Sequence, residues 1–262
     1  MTCNHTIHKH QHHLGWDNTI EPALSVAPGQ TIAVETIDAS GGQLHAKATL
    51  DDLKALDFDK VNPVTGPIYI EGAEPGDTVA ITFNAFHASG WGRTANIQGF
   101  GLLAEDFPDA ALHVWTYDTG LAKPAVFAPF GQVALKPFVG TIGLALAEAG
   151  QHSVVPPRRV GGNLDIRDNC QGSTLYLPVE VAGGLLSLGD THAAQGDGEI
   201  CGTAIESPMD VEIKVDLIKN AAFPFPRLET SGPVTSHIDQ QGYRVTTGIG
   251  PDLMQSARDA VR

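Results

Sequence analysis

The residues best suited to chemistry are concentrated in one stretch, Leu188-Gly-Asp-Thr-His-Ala-Ala-Gln-Gly-Asp-Gly-Glu199. It carries Asp190, His192, Asp197 and Glu199, interspersed with glycines. Asp190 and His192 are two apart, and on an extended strand such a pair projects to one face. A carboxylate oxygen and an imidazole nitrogen side by side suit zinc or a similar divalent ion. Glu199 follows a glycine-rich turn, where it can serve as the base for a water activated by that ion. The same composition also suits an acidic surface turn in which His192 only caps a loop.

A second polar pair stands upstream in Gly161-Gly-Asn-Leu-Asp165. Asn163 and Asp165 are again two apart, and the glycines allow close backbone approach. An Asx-turn between strands is the alternative. Gln43-Leu-His45, after Ser40-Gly-Gly42, is a third such pair, although a lone histidine is more often structural than a ligand. His5, His8, His10, His12 and His13 invite a metal-tract reading. They scatter along a polar terminus, so residues 1–12 are expected to form a mobile His-rich segment. His13, followed by Leu14-Gly-Trp-Asp17, is the exception. Trp91 in Ser89-Gly-Trp-Gly92 suits hairpin packing more than a pocket wall. Cys201 lies two after Glu199, but a nucleophilic thiolate needs a neighbouring base or cation and nothing basic is adjacent. A serine elbow, a phosphate-binding loop and a dinucleotide fingerprint are all missing from the sequence.

The elements expected to position these residues are strands. Ala27-Pro-Gly-Gln-Thr31 and Glu74-Pro-Gly-Asp-Thr78 each read as a type II turn, and each opens an alternating run ending in glycine-rich sequence. Two such units imply antiparallel sheets with hairpin-like connections. Residues 176–181 read as a strand that Pro178 pushes toward an edge or bulge. Residues 209–217 alternate apolar and charged without a break, and residues 243–249 read as another strand. Helices are expected only at 51–56 and after Pro251, while residues 138–150 are apolar but interrupted by glycine. Strand–helix–strand alternation is lacking, which argues against a doubly wound α/β fold. The expected fold is mainly β, with antiparallel sheets in a sandwich- or barrel-like arrangement and a few helices.

Composition agrees. The chain has 262 residues with 29 glycines and 17 prolines, and it reads as one turn-rich domain over 1–262. Its formal net charge of −14 repels phosphate backbones and anionic membrane surfaces, so neither nucleic acid nor membrane is an expected partner. Three cysteines without paired spacing are no disulfide framework, and a reducing cytoplasm fits best. A bilayer span needs about 20 consecutive apolar residues, and no run comes near that.

Five segments in order, His13-Leu-Gly-Trp-Asp17, Glu71-Gly-Ala-Glu-Pro-Gly-Asp77, Gly161-Gly-Asn-Leu-Asp165, Gly172-Ser-Thr-Leu-Tyr-Leu-Pro178 and 189–199, together resemble the acetamidase/formamidase family. The resemblance implies metal-dependent hydrolysis of short aliphatic amides, formamide or acetamide among them, to carboxylic acid and ammonia. It implies a divalent cofactor, often zinc, a small amide substrate and a homo-oligomer. Carried onto this chain, metal binding falls on Asp165, Asp190 and His192, with His45 as a further ligand. The acidic catalytic positions fall on Glu199, favoured as base, and Glu71. Asn163 is expected to hold substrate or orient a ligand. Other members act on different amides, cyclic ones included, so the substrate itself is not implied. Members also continue past the helix ending here at Arg262, so a covering or oligomer-forming segment is expected to be absent. A β-sandwich that binds a small ligand or metal without turnover is the reading of a different class.

Overall fold

The computed structural model describes residues 3, 5–221, 223–230 and 244–261. Two large sheets dominate. The seven-stranded sheet runs in the order His5–Ile7, Thr31–Val34, Met209–Ile218, Thr78–Ala88, Thr174–Pro178, Arg227–Glu229, Arg244–Thr246. The six-stranded sheet runs Gly161–Asn163, Phe138–Gly143, Leu186–His192, Val64–Ile70, His12–His13, with Leu24–Val26 also on Val64–Ile70. Pairing is antiparallel except where His5–Ile7 joins Thr31–Val34 and Leu24–Val26 joins Val64–Ile70. One hydrophobic cluster draws on both sheets, with Ile32, Ile81 and Ile213 from the first and Ile68, Ile142 and Leu188 from the second. Each such side chain contributes roughly 1.5–3 kcal/mol on burial. The architecture is the mainly β, sandwich-like one expected.

Both Pro-Gly turns open strands, Thr31–Val34 and Thr78–Ala88, as predicted. These strands do not pair with each other, because Met209–Ile218 lies between them, antiparallel to both. Its alternation places Met209, Val211, Ile213 and Val215 inside. The strand Thr174–Pro178 is not an edge: it pairs with Thr78–Ala88 along its length and with Arg227–Glu229 over residues 174–176. Pro178 is tolerated because it lies beyond the second pairing, where one side is open. The apolar glycine-interrupted stretch forms the strand Phe138–Gly143, buried throughout. The strand expected at 243–249 is Arg244–Thr246; Tyr243 lies outside the described residues.

The helices are Leu50–Lys54 and Leu253–Val261. The first is too short to stand alone. A capping box between Thr49 and Asp52 and the burial of Leu53 hold it. Asp252 caps the second by accepting from Gln255 N at 2.8 Å, so Pro251 sits just before the cap rather than in the first turn. No helix among the described residues is long and apolar enough to cross a membrane.

The His-rich terminus corrects an expectation. Residues 5–7 and 12–13 are paired strands, one in each large sheet. His13 is half-buried, with Nε2 2.8 Å from Ser187 Oγ and Nδ1 2.7 Å from Gly15 O. Trp91 opens the hairpin Trp91–Asn96/Ala111–Thr116, as its packing role predicted, and that hairpin brings Arg93 to the site.

Candidate functional site

The strand Leu186–His192 is buried along its whole length, although it carries Asp190, Thr191 and His192. Asp190 and His192 do face each other, with Asp190 Oδ1 3.1 Å from His192 Nε2. The backbone reason differs from the extended strand expected. Asp190 has φ +50°, in the left-handed region that aspartate tolerates better than most residues. The carboxylate meets the ring two residues on across this kink. Asp165 repeats the device with φ +46°. Its N–H and that of Leu164 both donate to Gly140 O, at 3.1 and 3.0 Å, which docks the Asn163–Asp165 segment beside Phe138–Gly143.

Asp165, Asp190 and His192 each offer a ligand atom within 4.8 Å of the others. His192, Glu199 and Glu206 form a second such group, sharing the imidazole. Gly140 makes the first arrangement possible: a Cβ there would lie 2.9 Å from Asp165 Oδ1 and 3.0 Å from Asp190 Oδ2. Thr141 Oγ1 sits 2.7 Å from Asn163 Oδ1 and 3.1 Å from Asp190 Oδ2, so one hydroxyl links the two side chains.

Glu206 has no counterpart in the sequence expectations. It comes from the short segment 204–207, which runs between two strands. On one side Ser207 N donates to Thr191 O at 2.9 Å, and on the other Glu206 N donates to Arg93 O at 2.8 Å. Glu206 Oε1 accepts from Ala204 N at 3.0 Å. Its Oε2 accepts no hydrogen bond among the described residues and makes only an ion-pair contact, 3.4 Å from His192 Nε2. Arg93 and Asp38, both buried, form an ion pair beside it at 3.4 Å. Asp38 is held by the N–H groups of Ser40 and Gly42. That turn was singled out for His45, yet it supplies Asp38 to the neighbourhood of the site.

His45 itself is exposed and accepts from Lys47 N, away from the cluster. Glu71 sits in an exposed turn, 3.4 Å from Ser25 Oγ, and is not brought to the cluster either. Asp197 is exposed and paired with Arg167 at 2.8 Å. Cys201 Sγ lies 3.6 Å from Thr203 O. A charged residue flanked by Ala204-Ile205 and Ser207-Pro208 is the one sequence signal that pointed to a buried Glu206.

The electrostatics are those of a cage short of positive charge. Burial, then the charge of Asp190, pushes Asp165 up to about 7. Burial, then Glu206 and Asp165, pushes Glu199 up to about 9. Burial is also the first cause of the raised value of Asp190, with His192 opposing it and Glu206 adding to it. For His192, burial favours the neutral ring, but Glu206 and Asp190 outweigh it and hold the value well above the usual imidazole range. Glu206 moves the other way: burial raises it, yet His192 and Arg93, with the Ala204 N–H, hold it well below the carboxylate range.

Three observations show that these residues suit a cation. Asp165 Oδ1, Glu199 Oε1 and Glu206 Oε2 are buried oxygens with no hydrogen-bond partner among the described residues, which is costly for a carboxylate without a cation. The donor set of carboxylate oxygens and one imidazole nitrogen matches a divalent ion of borderline hardness. Finally, His192 Nδ1 lies 3.0 Å from Gln195 Oε1, and Gln195 Nε2 donates to Asp165 O at 2.9 Å. Gln195 therefore presents its oxygen to Nδ1, which must carry the proton, and Nε2 is left to ligate.

The sequence model of the acetamidase/formamidase family matches residues 2–149 and 123–258. An acetamidase of Mycolicibacterium smegmatis is 32% identical, over 88% of this chain and 70% of its own length. A formamidase of Methylophilus methylotrophus is 31% identical, over 92% of this chain and 73% of its own length. The crystal structure of an acetamidase from Bacillus halodurans superposes with a TM-score of 0.87 at 31% identity, covering 97% of this chain and 81% of that one.

Proposed function

The chain belongs to the acetamidase/formamidase family and is an amidohydrolase; from that premise we propose that it hydrolyses short aliphatic amides, formamide and acetamide among them, to carboxylic acid and ammonia, with a divalent cation, zinc, in the buried cluster. The observation that carries this reading is that three buried carboxylate oxygens without a hydrogen-bond partner among the described residues belong to the two groups that share His192. Asp165, Asp190 and His192 would hold the ion, and Glu206 faces the same imidazole nitrogen. When bound, the cation supplies Lewis acidity for the carbonyl and makes water more acidic.

The remaining steps fall to the chain's own groups. Glu199 lines the cavity that contains Asp165, Asp190 and Glu206, about 650 Å³ in volume, and it comes from a loop rather than a strand. With a cation's charge beside it lowering its raised value, it would take the proton of the attacking water and return it to the departing nitrogen, the work of one carboxyl group acting as base and then as acid. Asn163, on the wall of the same cavity, would hold the amide. Glu206, 3.4 Å from His192 Nε2, would set the charge around the ring, with Arg93 paired to its backbone.

The test is an ammonia assay over formamide and acetamide, paired with metal analysis of the same preparation. Chelation should abolish turnover and added Zn²⁺ should restore it. Full activity in metal-free protein would overturn the cation's part. Retained metal with no ammonia from any amide would favour a binding protein without turnover.

A further inference from the structure

Glu199 stands in a wall between two cavities. On one side is the polar cavity with the carboxylates. On the other is a cavity of about 850 Å³, and Phe100, Gly198, Glu199 and Thr203 line both. The second cavity is walled largely by apolar side chains, Leu103, Phe107, Trp115, Val133, Ile200 and Ile205. Formamide or acetamide needs nothing of this size, since cavities of about 300–1,000 Å³ enclose ligands of drug size. Several of these walls are left in water: Ile200 is 62% exposed and Phe107 60%. Apolar surface kept wet around a concavity gains free energy when an apolar group covers it.

We propose that this cavity receives the acyl chain of the substrate, so that the class turned over best is primary amides of medium-length aliphatic or aromatic acids. The assignment rests on the amide-hydrolysis reading and extends it. An amide whose carbonyl lies beside Glu199 in the polar cavity has its apolar chain directed past Gly198 and Thr203 into the second one. The bond broken is the same C–N bond: water supplies the hydroxyl to the acyl carbon, and ammonia leaves with the proton. Asp106 and Asp109 on the cavity wall, with Glu199, set a negative field there, so the chain is neutral and bears no terminal carboxylate.

The experiment measures kcat/KM of the zinc-loaded enzyme for acetamide, butyramide, hexanamide and benzamide, with Trp115 fluorescence reporting hexanamide binding. Trp115 lines the cavity, whereas Trp16 and Trp91 do not. The expected result is a rise of about fourfold per added methylene, the fold-change corresponding to ~0.8 kcal/mol per buried CH₂. Leu103→Asp, in an exposed turn, should lower hexanamide turnover by about tenfold by placing a charge on the chain's path, and leave acetamide unchanged. Ala111→Phe, which adds bulk at another lining position, should do the same. Acetamide turnover with hexanamide neither preferred nor bound would overturn the chain site and leave amide hydrolysis standing. Hexanamide quenching Trp115, with ammonia released from no amide, would overturn the hydrolysis reading and the substrate assignment with it.

Discussion

Arg93 and Glu206 exchange both backbone hydrogen bonds, each 2.8 Å, and their side chains share one buried region with His192 and Asp38. The pairing fixes the guanidinium next to a carboxylate it does not contact directly, because its nitrogens turn to Asp38 at 3.4 Å. One cation thus serves two buried anions. Arg93→Gln leaves both Asp38 and Glu206 without it. Removing one partner of a buried ion pair costs about 3–5 kcal/mol, and a loss of that order is expected in urea unfolding. An unchanged midpoint would show that Asp38 and Glu206 do not depend on Arg93.

Glu199→Gln keeps the size and polarity of the side chain and removes its ability to take a proton. The expected loss in kcat is about 10²- to 10⁴-fold, the contribution of one positioned acid or base. KM and bound zinc should change little, since Asp165, Asp190 and His192 are untouched. Loss of zinc in parallel with activity would instead make Glu199 a ligand, as its approach to His192 and Glu206 also permits.

Gln195 is not among the groups that would ligate the cation in this reading. It accepts from His192 Nδ1 and anchors itself on Asp165 O. Outer partners of this kind are worth about 10–100-fold in metal affinity or activity, so Gln195→Ala should weaken zinc binding by that factor. Competition with a chelator of known affinity measures it, and Gln195→Glu, which still accepts from Nδ1, should recover part of the loss.

In chelated protein the cage sets the pH dependence of stability. Asp165 and Glu199 have folded values of about 7 and about 9, above their ordinary 3.8 and 4.5, so the native state binds more protons than the unfolded chain in between. The stability these two groups contribute is fully present below their ordinary values and is lost as pH rises through about 7 and then about 9. Glu206 is opposite in sign, and its contribution is lost as pH falls below 4.5 toward its depressed value. The urea midpoint of zinc-free protein should therefore fall between about pH 5 and about pH 9, and less steeply when zinc is bound. Zinc binding near neutral pH should release protons, seen calorimetrically as a heat that varies with the buffer's ionisation enthalpy.

The parts of this site legible in the sequence were those carried by local spacing. Asp190 and His192 share a segment, Asn163 and Asp165 share another, and glycines flank both. The expectation failed where a residue enters through long-range pairing. Glu206 reaches His192 and Arg93 through backbone bridges, and its apolar flanks mark it only as a buried charge, not as a neighbour of either. Arg93 and Asp38 were invisible for the same reason, their ion pair spanning 55 positions. His45 and Glu71 were carried over from family positions, and the backbone turns them to solvent. For the fold, alternation located Met209–Ile218 and the Pro-Gly turns located two strands, because period and turn chemistry are local. The order in which those strands lie is not, and the insertion of Met209–Ile218 between two similar units could not be read from either unit.

The cluster gathers groups from six places in the chain: Asp38, Arg93, Asp165, the Asp190–His192 pair, Glu199 and Glu206. No two neighbouring strands alone contain enough of them to hold an ion. Closing such distant segments is the slow part of reaching an all-β topology. An ion that needs all of these groups would find its full ligand set only once the sheets are complete. Zinc would lengthen the lifetime of the native state while leaving the rate of its formation almost untouched.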